Sequence, residues 1–104
     1  MGKSVPEMLR ECADLYEQRN ALYGDNYRRF GYFMARLFPA GVRVETPDDW
    51  NRIGIFVQVA AKLSRYANQW EHGHRDSLDD MAVYAMMLRE LDDELDDEIA
   101  DEAK

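Results

Sequence analysis

Cysteine is nearly absent from this chain: of 104 residues only Cys12 carries a thiol, so no intrachain disulfide can form. That suits a reducing compartment, and the cytoplasm is the expected setting. No apolar run approaches the roughly 18 residues that a membrane helix needs, which excludes a membrane partner of that kind. The opening Met-Gly-Lys-Ser-Val-Pro has no apolar segment of the kind a signal peptide carries. Repeats and Gly/Ser linkers are missing as well, and the length predicts one domain. No Gly-rich phosphate loop, no ordered Ser/His/Asp set and no zinc-protease helix is present. His72 and His74 share a short turn with no cysteine set to complete a zinc site, and both are expected to face solvent.

Basic residues are in the minority. The net charge is −8, with 46% hydrophobic and 12% aromatic residues, a composition that folds. The excess acid is not spread evenly. Residues 1–89 hold twelve acids and twelve Lys or Arg, whereas Glu90 to Lys104 hold nine acids and one Lys. Binding nucleic acid through bulk charge is therefore disfavoured. Local positive potential in the body remains open.

Four helices are legible. Ser4-Val-Pro-Glu7 is a capping box with Pro in the first turn, and it predicts a helix from about Val5 to Leu22. Leu9, Cys12, Ala13, Tyr16 and Tyr23 form its apolar stripe, widened by Met8, Leu15 and Leu22. Cys12 is expected to be buried there as a small hydrophobe. Tyr23-Gly-Asp-Asn26 reads as a turn in which Asp25 or Asn26 caps a second helix, about Tyr27 to Leu37. Residues 38–45 read as a loop. Thr46-Pro-Asp-Asp49 starts a third helix that runs to about Trp70. This helix is apolar around most of its circumference, so it should be central. After a turn over 71–75, Asp76 or Ser77 caps a fourth helix with Leu78, Met81, Ala82, Ala85 and Leu88 inside. Domain and tail divide at 91/92. Beyond Leu91, Leu95 and Ile99 keep a four-residue spacing amid acids, so a solvated, fraying helical extension is expected.

Three groups could carry chemistry. Asp76, Asp79 and Asp80 stand at i, i+3 and i+4, a spacing that serves either Mg²⁺ or simple capping of a first turn. Lys62 and Arg65 lie on the polar stripe Ile55, Gln58, Lys62, Arg65, Gln69 of the third helix. They can pair with those aspartates or bind phosphate. Glu17, Asn20 and Gly24 lie near one face of the first helix, beside Tyr16 and Tyr23. Asn20 can anchor the Tyr-Gly-Asp turn or read a polar edge of a ligand. Tyr23, Tyr27 and Trp50 can stack a base or belong to the core.

Glu17-Gln-Arg-Asn20, Tyr23-Gly-Asp25, Lys62-Leu-Ser-Arg65 and Asp76-Ser-Leu-Asp-Asp80 with Tyr84 together resemble a small all-α bacteriophage family. That family is grouped with nucleotide-modification domains and is similar to MazG-type NTP pyrophosphohydrolases. The resemblance covers roughly residues 5–91. It implies a MazG-like bundle of four main helices in antiparallel hairpins and a homodimer or higher oligomer. It also implies a phosphorylated nucleotide as ligand, with (d)NTP cleavage to monophosphate and pyrophosphate if Mg²⁺ is held. Asp76, Asp79, Asp80 and Glu17 would hold the metal, Lys62 and Arg65 the phosphates, and Asn20 and Tyr23 the base or sugar. The third helix departs from the MazG pattern: Lys62 and Arg65 stand where carboxylates are expected. That departure favours an alternative, a non-catalytic nucleotide or signal-nucleotide binder. A second alternative is an interaction module that uses the acidic residues 92–104.

Overall fold

The computed structural model describes residues 2–102, apart from the side chains of residues 23, 98 and 100–102. The described residues form four helices and no strand: α1 (Val5–Tyr23), α2 (Asn26–Leu37), α3 (Pro47–Asn68) and α4 (Arg75–Glu102). The chain is all-α, as its periodicity predicts. No helix is long and apolar enough to cross a membrane among the described residues.

The helix starts follow from their caps. Ser4 Oγ accepts from Glu7 N at 3.3 Å and opens α1. A full capping box opens α3: Thr46 Oγ1 accepts from Asp49 N, and Asp49 Oδ2 accepts from Thr46 N, each at 3.1 Å. Asp25 occupies the cap position of α2, yet its carboxylate makes no capping bond. It is turned instead toward Asn20, as described below. The expectation for α4 needs correction. The helix begins at Arg75, before Asp76, and Ser77 lies inside the first turn at 1% exposure, hydrogen-bonded to His74 Nδ1. His74 is thus half-buried, whereas His72 is exposed as expected.

α3 and α4 form an antiparallel hairpin. Lys62 Nζ lies 3.0 Å from Asp80 Oδ2, and Arg52 Nε lies 3.3 Å from Asp92 Oδ1. Stepping back along α3 thus steps forward along α4. The hairpin closes through residues 69–74, where Gly73 takes φ 70° and its N–H donates to Gln69 O at 2.7 Å. Ile53, Phe56, Val57, Ala60 and Ala61 of α3 face Met81, Tyr84, Ala85, Leu88 and Leu91 of α4 as the half-buried or buried positions. The loop after α2 is pinned to this hairpin by Phe38, whose ring centre lies 4.9 Å from that of Phe56. α3 ends at Asn68, two residues short of Trp70, and Trp70 is exposed.

The rest is open. α3 is central, since α1, α2 and α4 all meet it. Among the described residues, α1 packs far less against α3 than α4 does. Every α1 side chain from Val5 to Arg19 is exposed, Cys12 included, against the expectation that Cys12 is buried. Among the described residues Ala60 is the one buried apolar side chain. The radius of gyration is 18.4 Å, where a compact chain of this length has about 13 Å. The acidic extension is helical. α4 continues unbroken to Glu102, with Leu91 and Leu95 half-buried; residues 103–104 lie outside the described residues.

Candidate functional site

Gly24 shapes the corner where α1 meets α2. It ends α1 with φ 62° and ψ −159°, a region that only glycine occupies readily. Its N–H donates to Asn20 O at 2.8 Å. The Asn20 amide nitrogen donates in turn to Asp25 Oδ1 and Gly24 O, each at 2.9 Å. Asn20 therefore anchors the Tyr-Gly-Asp turn, and this consumes the carboxylate that would otherwise have capped α2. Gln69 Nε2 donates to Leu22 O at 2.7 Å and ties the end of α1 to the end of α3.

These ties create a groove of about 370 Å³. α1 contributes Cys12, Leu15, Tyr16, Arg19 and Asn20. The turn and α2 contribute Gly24, Asn26 and Tyr27, and α3 contributes Arg65. Two guanidinium groups, two phenols and two amides thus share one wall system, and among the described residues no carboxylate lines it. Arg28 Nε donates to Tyr27 Oη at 3.1 Å. That bond, with one from Tyr16, holds the Tyr27 phenol below its ordinary pKa. The Tyr16 phenol moves the other way, up, through its hydrogen bond with Tyr27. Arg29 Nη2 donates to Asn68 Oδ1 at 3.3 Å, close beside Gly24. Four arginines therefore gather at this corner of an acidic chain.

Of the residues singled out from sequence, Tyr16, Asn20, Gly24, Tyr27 and Arg65 line the groove. The Tyr23 side chain lies outside the described residues. Lys62 is elsewhere: its side chain, 15% exposed, runs to Asp80 on the hairpin. The aspartates separate. Asp80 pairs with Lys62, and Asp79 lies 3.8 Å from Arg75 on the solvent face. Glu17 stands exposed on α1, and Asp76 is exposed on α4. Among the described residues no group of three or more His, Cys, Asp or Glu side chains is disposed to hold a metal ion.

No protein-family model, curated protein or solved structure matches the chain.

Sequence reading missed Arg19, Asn26 and the pairing of Tyr16 with Tyr27. Arg19 had a signal. It sits seven residues after Cys12 and three after Tyr16, a cation continuing the apolar face of α1.

A second, smaller hollow of about 220 Å³ lies under the loop at Val42 and Val44, against Ile53, Phe56 and Leu88. The Arg52–Asp92 pair stands at its rim. Its lining is mostly apolar; of its other charged residues, Arg43 pairs with Glu45, and Asp49 accepts from the N–H groups of Glu45 and Thr46.

Proposed function

We propose that the chain binds a phosphorylated nucleotide in the groove between α1, α2 and α3. One observation carries this reading: Arg19 and Arg65 share a cleft with Tyr16, Tyr27, Asn20 and Asn26, and among the described residues the nearest carboxylate, that of Asp25, is held behind Asn20 rather than in the lining. Guanidinium groups fork onto phosphate oxygens. Tyrosine rings offer flat apolar faces to a base, and amides supply donors and acceptors for its edge. Tyr23, the last residue of α1, belongs to the same corner. The residue patterns quoted above, rather than any matched relative, are what favour a MazG-like domain of phage origin working in the cytoplasm as a homo-oligomer, first of all a dimer.

Binding without turnover is the form we put forward. Mg²⁺-dependent pyrophosphohydrolysis asks for converging carboxylates; Asp80 is paired with Lys62 and Asp79 with Arg75, and none of Asp76, Asp79, Asp80 and Glu17 lines the arginine groove. Lys62 serves the hairpin in this reading, not the phosphates.

The test is ³¹P NMR of the protein with a panel of NTPs and dNTPs, with and without Mg²⁺. Phosphate signals should shift or broaden and stay intact, and Arg19→Gln should weaken the effect about tenfold or more, the loss expected for one charge-assisted hydrogen bond. Growth of monophosphate and pyrophosphate signals would replace binding with hydrolysis. Spectra unchanged by the protein would remove the nucleotide altogether.

A further inference from the structure

The single chain exposes far more surface than a folded chain of its mass. Its accessible area is 8604 Å² for 12.2 kDa. A compact monomer of that mass exposes about 6,100 Å². The excess is on the order of 2,500 Å², part of it contributed by the last turns of α4. An obligate homodimer removes roughly 1,000–2,500 Å² from each partner. The excess is therefore the area that a second copy would cover.

The excess is also patterned. α1 presents Val5, Leu9, Cys12 and Tyr16, flanked by Met8 and Leu15, as an exposed stripe; Leu9 is 64% exposed. On the side of α4 turned from α3, Val83, Met86 and Met87, with Ala82, form a second exposed apolar patch, and Met86 is 58% exposed. Most of a helix's stability in a protein comes from packing its amphipathic face, so the apolar face of α1 needs a surface to lie on. Within one chain the two stripes do not meet.

We infer that α1 docks on the outer stripe of α4 of a second copy, and that the exchange is reciprocal about a twofold axis. Such an interface is self-complementary, and it covers both stripes at once. Pairing α1 with α1 would leave the α4 stripe bare. Cys12, Leu15 and Tyr16 belong to the stripe and to the groove wall alike. The inference deepens the dimer of the proposed function and is read without any nucleotide, so the two can fail separately.

The full chain, free of ligand, should sediment at twice its 12.2 kDa at tens of micromolar. Leu9→Glu and Met86→Glu should each halve that mass. Both side chains are exposed in the single chain, so the α3–α4 hairpin should keep its helical circular dichroism. For contact mapping, Val83→Cys and Met86→Cys are each combined with the native Cys12 and treated with a short bis-maleimide. Covalent dimers in these variants, absent from wild type, fit the exchange. A wild-type Cys12–Cys12 link, or no link from either variant, would overturn it in favour of another pairing. A wild-type mass of one chain would overturn the second copy itself.

Discussion

A few side chains decide what the corner between α1 and α2 can be. Gly24 holds a backbone conformation that a Cβ would strain by about 1–3 kcal/mol, although the space beside it is ordinary. Gly24→Ala should lower the melting temperature and, because it moves the Asn20–Asp25 tie, weaken nucleotide binding together with it. Lys62 and Asp80 behave differently. The Lys62 stem is largely covered, whereas the Asp80 side chain is 49% exposed. Lys62→Ala removes packing along with the ion pair, and Asp80→Asn removes only a partly screened charge. Thermal melts should therefore show a larger loss for Lys62→Ala than for Asp80→Asn, whose loss should stay under about 1 kcal/mol. Neither change should alter a nucleotide titration. Loss of binding at unchanged stability in either variant would return Lys62 to the phosphate site.

The helices themselves are set by local chemistry, and this can be tested at α3. Thr46→Ala should cost about 1 kcal/mol, the usual value of a lost N-cap. Asp49 adds a pH dependence. Backbone N–H groups of Thr46 and then Glu45 hold its carboxyl below the ordinary value. A depressed folded pKa gives stability that is present above the unfolded value, about 3.9, and lost as pH falls through the folded one. Melting temperature should thus drop on acidification below about pH 4, and Asp49→Asn should flatten that acid limb. Caps and breakers are short-range, which is why Ser4, Thr46, Gly24 and Pro47 marked their helices in the sequence. What surrounds a helix is long-range. Cys12 sits in an apolar stripe, and that pattern says only that something covers it. Among the described residues Cys12 is exposed. Likewise the Asp76, Asp79, Asp80 spacing is a property of one helix turn, whereas a ligand set needs approach from other elements. Arg65 and Asn20 come together because Gln69 reaches Leu22 O across 47 residues of sequence, a tie no local pattern announces.

At the scale of the molecule, stability and assembly are one quantity. A dimer that orders α1 makes the melting temperature rise with protein concentration. Calorimetry over a hundredfold dilution should show that rise in wild type and a flat line in Leu9→Glu. A wild-type melting temperature independent of concentration would contradict the exchange.

The concentration of contacts in the α3–α4 hairpin also fixes an order of events in time. Its two arms are joined by six residues, and its pairs, Lys62 with Asp80 and Arg52 with Asp92, are separated by 18 and 40 positions. Closing such a loop is fast, in the range that local helical contacts allow. α1 has no comparable neighbour in its own chain. Its ordering waits on a collision. Refolding should therefore run on two clocks: a first-order phase that is blind to dilution, and a second-order phase that slows in proportion to it. A newly made chain would spend the interval between them with a finished hairpin and an unspent arm, an interval set by how many copies the cell has already produced.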